Sequence, residues 1–450
     1  AEGILAGYPQ AQLAGITPVE MAADLSKAQP NYDSVADRFT YVPELLDEPL
    51  LKKWIDHFGA QGLPIDYITF HIWDPSAYPN EGAFWQRYGD TLEGWLVGAG
   101  FTAPGVTVLA TDFANWQNVC IVDPSDALTS YYDSEYLAAM FIEHRLATLR
   151  YSIDALKASS TRLIQNFDLI YGYMLPFGAL ASCMTARAGF DGRPGIVNSA
   201  GIPKASYNAL HLLTQLEGRL GFADSSDPMI TAVSSYRGDG VSDRIAIMLA
   251  RHIPSELHFV AEGGGFPGYQ GGSLTKHNYG QELALFDPST ISSLMVGYLS
   301  QADFPRQFLR DLLAVPPVFD VADLGLPAGW TAYQQAVRDH GIAYRLERSR
   351  VATAELQITG VPPGSYVLTR YRVDADHGHG YPQRAELHQR LLDASAAGAT
   401  ALQAEVDSVR AEYGVSSTIV SSGPLQVSGT TASLSVDLAP NSVHVLVLSK

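Results

Sequence analysis

Few residues of this chain combine the type and the setting that chemistry requires, and Asp112 comes first among them. It follows the apolar run Val106-Thr-Val-Leu-Ala-Thr111, which reads as a short buried strand, and it stands where an aromatic loop with Phe113 and Trp116 begins. In a (β/α) barrel the loops after the strands form the open face, so a carboxylate at the C-terminal end of a strand reads as catalytic. The plainer alternative is an Asp that hydrogen-bonds the backbone of its own loop. His71, near the end of the run Ile65 to Trp73, is placed to bond a ligand hydroxyl or orient the carboxylate, or else is a core histidine. Trp73, Trp116, Tyr171 and Tyr173 gather at strand ends, where aromatic rings stack on flat ligand faces or fill ordinary core. Glu81 and Asp74, on the loop after the His71 strand, are the further carboxylates; Glu81 is the acid/base candidate, with a solvated loop residue as its alternative.

Regular elements must position these groups. The spacing of Leu50, Leu51, Trp54, Ile55 and Phe58 predicts a helix that stops near Gly59 and Gly62. A strand is expected over Ile65 to Trp73, a helix over Thr91 to Ala99, and the Asp112 strand next. The helix Ser134 to Leu156 then leads to a strand from Asp168 to Met174, and a helix from Pro203 to Leu220 closes the unit. Strand alternating with helix builds a parallel sheet covered by helices.

The pattern then changes. Short alternating segments bounded by turns appear at Ile230 to Tyr236, Arg244 to Ala250, Ala354 to Ile358, Ser365 to Val373, Leu425 to Val427 and Ser442 to Leu448, which predicts a β-sandwich. The expected organisation is an α/β domain over residues 1–222 and an all-β sandwich over 223–450, interrupted by a partly helical insertion at about 255–350 with helices at Thr290 to Leu313 and Trp330 to His340. The glycines from Gly263 to Gly265 lack the spacing and the strand-turn-helix setting of a phosphate cradle.

Composition narrows the partners. Of 450 residues, 46% are hydrophobic and 17% charged, a globular balance. A net charge of -18 argues against nucleic acid or an anionic membrane surface, since either requires a basic patch; a neutral ligand with aromatic stacking, such as a sugar, fits better. No apolar run is long enough to cross a bilayer. The opening AEGILAGYPQ lacks the basic and long apolar regions of a signal peptide, and a start at Ala-Glu-Gly is what processing leaves, so the expectation is an extracellular or periplasmic protein. Cys120 and Cys183 allow one bridge or two buried thiols. Asp374, Asp376, His377 and His379 look like a metal cluster at first glance, but no zinc spacing is present and no metal or cofactor is expected.

Two motifs carry a family resemblance. GIVNSAGIPKASYNALHLLTQLEGRLG, Gly195 to Gly221, resembles the segment of glycoside hydrolase family 39 in which Gly-Ile-Pro-Lys-Pro-x-Tyr leads into a helix. Tyr371-Arg-Val-Asp-Ala-Asp-His-Gly-His-Gly-Tyr381 resembles that family's sandwich signature, which assigns the Asp and His residues a structural role. Ile65 to Trp73 then resembles the sixth barrel strand, and Val106 to Trp116 the seventh, which carries the nucleophile as Thr-Glu-Trp-Asn. Asp112 stands at the position of that Glu.

The resemblance implies a partial (β/α)8 barrel, strands five to eight, followed by the sandwich. It also implies retaining hydrolysis of a glycosidic bond in an oligosaccharide or polysaccharide, with two carboxylates roughly 5 Å apart. The departures are informative. Asp is shorter than Glu by a methylene, roughly 1.5 Å, and the Asn-Glu that carries the acid/base in the family has no counterpart before Ile65. Gly172 and Leu175-Pro176 replace the Trp and Asp of the eighth strand. Ile4 to Tyr8 matches the fifth strand, and four strands cannot close an eight-stranded barrel, so a second polypeptide that completes it is expected. The alternative is a catalytically inactive glycan-binding or surface-assembly protein on the same fold.

Overall fold

The computed structural model describes residues 30–33, 38–41, 50–73, 81–114, 135–157, 160–171, 196–198, 201–225, 227, 229–238, 243–253, 291–301, 306–326 and 328–450. In chain order the first elements are β1 (Pro30–Asp33), β2 (Arg38–Tyr41), α1 (Leu50–Ala60), β3 (Tyr67–Trp73), α2 (Glu81–Gly98), β4 (Val106–Ala114), α3 (Glu135–Ala155) and β5 (Ile164–Tyr171). There follow α4 (Ala205–Leu212), β6 (Arg219–Ala223), β7 (Ile230–Arg237), β8 (Arg244–Arg251), α5 (Ser293–Leu299), α6 (Arg306–Leu312) and α7 (Ala328–Glu347). The last are β9 (Ala352–Thr359), β10 (Gly364–Val373), α8 (Arg384–Ala396), α9 (Ala399–Tyr413), β11 (Ile419–Val427), β12 (Thr431–Leu438) and β13 (Ser442–Ser449). The expected strand at Ile4 to Tyr8, the glycines from Gly263 to Gly265, and Cys120 and Cys183 lie outside the described residues.

The chain divides into two compact units that interleave in sequence. Ala1–Asn118, Asp154–Gly172 and Pro254–Leu346 make the first; Val119–Ile153, Tyr173–Ile253 and Glu347–Lys450 make the second. The boundary expected between residues 222 and 223 is not where the contacts divide. The reason is α3: its Ala138, Ala139, Ile142 and Leu146 are buried with Met248, Val443 and Val445 of the antiparallel sheet, so the helix expected to cover the barrel joins the other unit.

In the first unit β3, β4 and β5 form a parallel sheet in sequential order. Its apolar rung Ile68, Val108 and Phe167 is sealed from solvent against α2, whose Trp85 meets the Phe167 ring edge-on at 5.1 Å. The register of β5 is pinned from the same helix: the Leu163 and Ile164 amides donate to the Glu93 carboxylate at 2.5 and 3.1 Å, and Arg162 pairs with Asp90. Helix α1 buries Leu51 and Ile55. It meets the end of α2 through Gly59, where a Cβ would run into the Ala99 carbonyl. The expected helix from Thr290 to Leu313 is two helices, α5 and α6, the first N-capped by the Ser292 hydroxyl.

The second unit is a β-sandwich covered by helices. Six antiparallel strands lie in the order β11-β10-β13-β8-β7-β6. Period-two alternation sends Ile245, Ile247 and Leu249 of β8 with Leu446 and Leu448 of β13 to one face, where the β9–β12 ribbon contributes Leu434, Val436 and Leu438. The other face, with Ala246, Met248, Ala250, Val443, Val445 and Val447, is covered by α3 and α4. The helix expected to run to Leu220 ends at Leu212; Gly218, at φ 81°, turns the chain into edge strand β6. The hairpin of α8 and α9, with Leu387, Leu391, Val406 and Val409 at its core, and the strand β12 were not expected.

One buried cation ties this unit together. Arg251 is fully buried and donates to the Leu438, Arg350 and Glu347 carbonyls and to the Glu347 carboxylate at 2.9 Å. Arg251→Ala removes a donor from each of these acceptors and leaves a cavity, and the expected loss is about 3–5 kcal/mol, checked by a lower urea midpoint at unchanged slope.

Candidate functional site

The rim of the parallel sheet is built by one irregularity. From Tyr67↔Thr107 to Phe70↔Ala110 the strands β3 and β4 pair residue for residue; the next pair is His71↔Asp112. Thr111 is therefore an extra residue in β4, a β-bulge. The β5 side records the same insertion, because Ala110 pairs with Leu169 and Phe113 with Tyr171. Without the bulge Asp112 would share the parity of Val106 and Val108, which are buried. With it, Asp112 takes the register of His71, on the parity of Tyr67 and Thr69. Bulges of this kind bend a strand and re-aim the residue that follows, and they concentrate beside functional sites.

The structure places the backbone of Asp112 and His71 side by side, Trp73 opposite Ala114 and Tyr171 opposite Phe113. The strand runs to Ala114, two residues beyond Asp112, so the residue lies in the strand's last turn of pleat and not in the loop after it. Glu81 is the first residue of α2 and not a loop residue; the helix begins ten residues earlier than the expected one at Thr91, and a carboxylate there favours the helix dipole. Trp116, Tyr173 and Asp74 lie outside the described residues. Sequence reasoning passed over Asp168, which stands within β5 and not at its start; an acidic residue inside the otherwise apolar run Phe167 to Tyr171 was the available signal.

The group at the end of β10 is internally committed. Asp374, Asp376 and His377 bring three ligand-type atoms within 4.8 Å of one another. However, the Asp374 carboxylate already accepts the Asp376 amide at 3.0 Å, meets His377 at 2.9 Å and pairs with the Arg372 guanidinium at 2.7 Å. The Arg372 guanidinium thus already supplies a positive charge beside the Asp374 carboxylate.

His379 beside them is buried as a neutral imidazole: its Nε2 donates to the Asp374 carbonyl at 2.8 Å and its Nδ1 accepts the Tyr381 amide at 3.3 Å. Burial pushes His379 and His444 down to about 4, and raises the Glu135 carboxyl above its ordinary value.

No protein-family model matches the chain, and no curated protein matches it in sequence. Among the solved structures it is similar to are glycoside hydrolases. They include a monomeric β-xylosidase from Caulobacter crescentus CB15, at 15% identity over all of this chain and 63% of that one with a TM-score of 0.49. A GH39 enzyme from Xanthomonas axonopodis pv. citri aligns at 14% identity over all of this chain and 62% of that one, TM-score 0.49. A bacterial orthologue of human α-L-iduronidase aligns at 11% identity over 99% of this chain and 56% of that one, TM-score 0.46. The chain spans less than two thirds of the length of each.

The buried histidines set a pH dependence. Their unfolded value is about 6.5, so between about pH 6.5 and 4 the unfolded chain binds more protons than the folded one. Stability therefore falls as the pH drops through that window. His444→Leu should flatten the slope, checked by urea midpoints measured from pH 7 to 4.

Proposed function

We propose that this chain is the nucleophile-bearing half of a retaining glycoside hydrolase of the family 39 kind, with Asp112 as nucleophile. The observation that carries the reading is the bulge at Thr111, which moves Asp112 out of the helix-facing register and beside His71 at the end of the parallel sheet. Trp73 and Tyr171 stand near the ends of the neighbouring strands, and this reading assigns them, with Trp116 and Tyr173 of the following segments, to stacking on a sugar.

In the reaction Asp112 attacks the anomeric carbon and the glycosidic oxygen leaves with a proton from an acid; water, deprotonated by the same group, then releases the sugar and regenerates the carboxylate. The acid/base, with the strands that close the barrel, comes in this reading from sequence outside these 450 residues, in a second polypeptide or another stretch of a longer chain. The substrate class is a β-xyloside, a uronide or an exopolysaccharide.

A glycan-binding protein on the same fold is the second reading, supported by Asp standing where the family has the longer Glu. A fluorinated glycoside that forms a stable ester separates the two. Mass spectrometry of the peptide containing Asp112 should find the sugar attached, and Asp112→Asn should abolish labelling and lower turnover by about 10³-fold or more. Glycan binding by the wild type with neither turnover nor labelling would leave the binding reading.

A further inference from the structure

Charge is spread unevenly along this chain. It carries 29 basic and 47 acidic side chains, yet no charged residue occurs from Leu356 to Thr369 or from Gly414 to Val436. The fold brings the two stretches together. Strands β10 and β11 are antiparallel neighbours, paired from Gly364↔Val427 to Arg370↔Ser421, and β11 is an edge strand of the six-stranded sheet. Alternation divides the residues of the pair between two faces. Tyr366, Leu368, Leu425 and Val427 pack into the sandwich core, so Ser365, Val367, Thr369, Ser422, Pro424 and Gln426 take the other face.

Over β8 and β13 that second face is covered by α3 and α4, and the apolar cluster beneath them reaches β10 only at Tyr371 and Val373. Val367 is 49% exposed, and Ser365, Ser422, Pro424 and Gln426 are exposed with it. Three cross-strand pairs make up the open strip: Val367 opposite Pro424 at the centre, Ser365 opposite Gln426 on one side and Thr369 opposite Ser422 on the other. The flanking pairs are hydrogen-bonded at 2.7 and 3.2 Å, which holds their side chains in place. An apolar centre flanked by uncharged polar groups has the anatomy of a protein interface, depleted of charge at its core.

We propose that this strip docks a second copy of the chain about a two-fold axis near Val367 and Pro424. Two features select a second copy. Chains with a net charge of -18 repel one another over most of their surface, and the strip lets them meet without opposing like charges; a basic partner would be drawn to the acidic remainder instead. Hydroxyl and side-chain amide groups also both donate and accept hydrogen bonds. Ser365, Thr369, Ser422 and Gln426 are therefore complementary to themselves, as a two-fold interface requires. None of the six residues is aromatic, so the strip offers a sugar ring no stacking surface. Pro424, in the middle of edge strand β11, discourages extension of the sheet by an added strand, so the contact is face to face. Two strands are a small area against the roughly 800 Å² per partner of a stable complex, which makes the association weak, with a Kd on the order of tens of micromolar.

Sedimentation equilibrium of the full chain from about 1 to about 300 µM tests this. The wild type should pass from monomer to dimer over that range, and added salt should strengthen the dimer by screening the repulsion between two acidic copies. Val367→Asp sets two like charges beside the axis and should weaken association at least about 30-fold. Val367→Lys should do the same, whereas an equal mixture of the two variants should dimerise again. Val351→Asp, at a valine 58% exposed outside the strip, should leave the dimer unchanged. A monomer at every concentration, a dimer indifferent to both Val367 variants, or a mixture that stays monomeric overturns the proposal. So does protection of the β10 and β11 amides from hydrogen exchange by xylohexaose on a chain that stays monomeric, which would give the strip to a glycan.

Discussion

Side chains on a β-strand alternate with a period of two, and a single extra residue exchanges the faces of everything beyond it. The three-stranded parallel sheet and the six-stranded antiparallel sheet both depend on that constraint. In β8 and β13 the alternation is unbroken, and because both faces are covered, each residue in turn serves one of two cores: Ile247 and Leu446 against the β9–β12 ribbon, Met248 and Val445 against α3 and α4. In β4 the alternation is broken once, at Thr111, and the break separates a lower part committed to packing from a rim that carries Asp112. Below Thr111 the strand is fixed by Val108, buried with Ile68 and Phe167.

How much of this was legible in the sequence depends on whether the signal was compositional or a matter of register. The run Val106 to Thr111 is apolar and β-branched, so the strand and the carboxylate near its end could be read directly. The bulge could not, because one added residue changes neither composition nor apparent period over so short a run. Strand β12 had a clear pattern, with Ala432, Leu434, Val436 and Leu438 inward and Thr431, Ser433, Ser435 and Asp437 outward, but its small and polar residues made it look like loop. Helices α8 and α9 were hidden by their high content of Ala and charge; Leu387 and Leu391, four apart, were the available mark of the buried stripe. The domain boundary failed for a tertiary reason: nothing local in α3 says which sheet its Ala138 and Ile142 will meet.

Two buried charged groups hold the fold of the second unit. Arg251 is encircled by carbonyls and the Glu347 carboxylate, and the Asp374 group is closed by Arg372, His377 and a backbone amide. In both, an opposite charge lies beside the buried one, which is what a low-dielectric setting demands. The resemblance of Asp374, Asp376 and His377 to a metal site is thus one of residue type and spacing, while the guanidinium beside them supplies the compensating charge.

Asp112 differs from these in what surrounds it along the chain. A nucleophile one methylene shorter than Glu reaches about 1.5 Å less far, and errors of about 1 Å are enough to lose a hundredfold in rate, so a functional Asp requires the backbone itself to be displaced. A β-bulge does that: it bends the strand and raises the local twist without altering the residues that pack below. On the retaining reading, the short carboxylate and the extra residue Thr111 immediately before it are therefore one arrangement, in which the main chain supplies the placement that the side chain lacks.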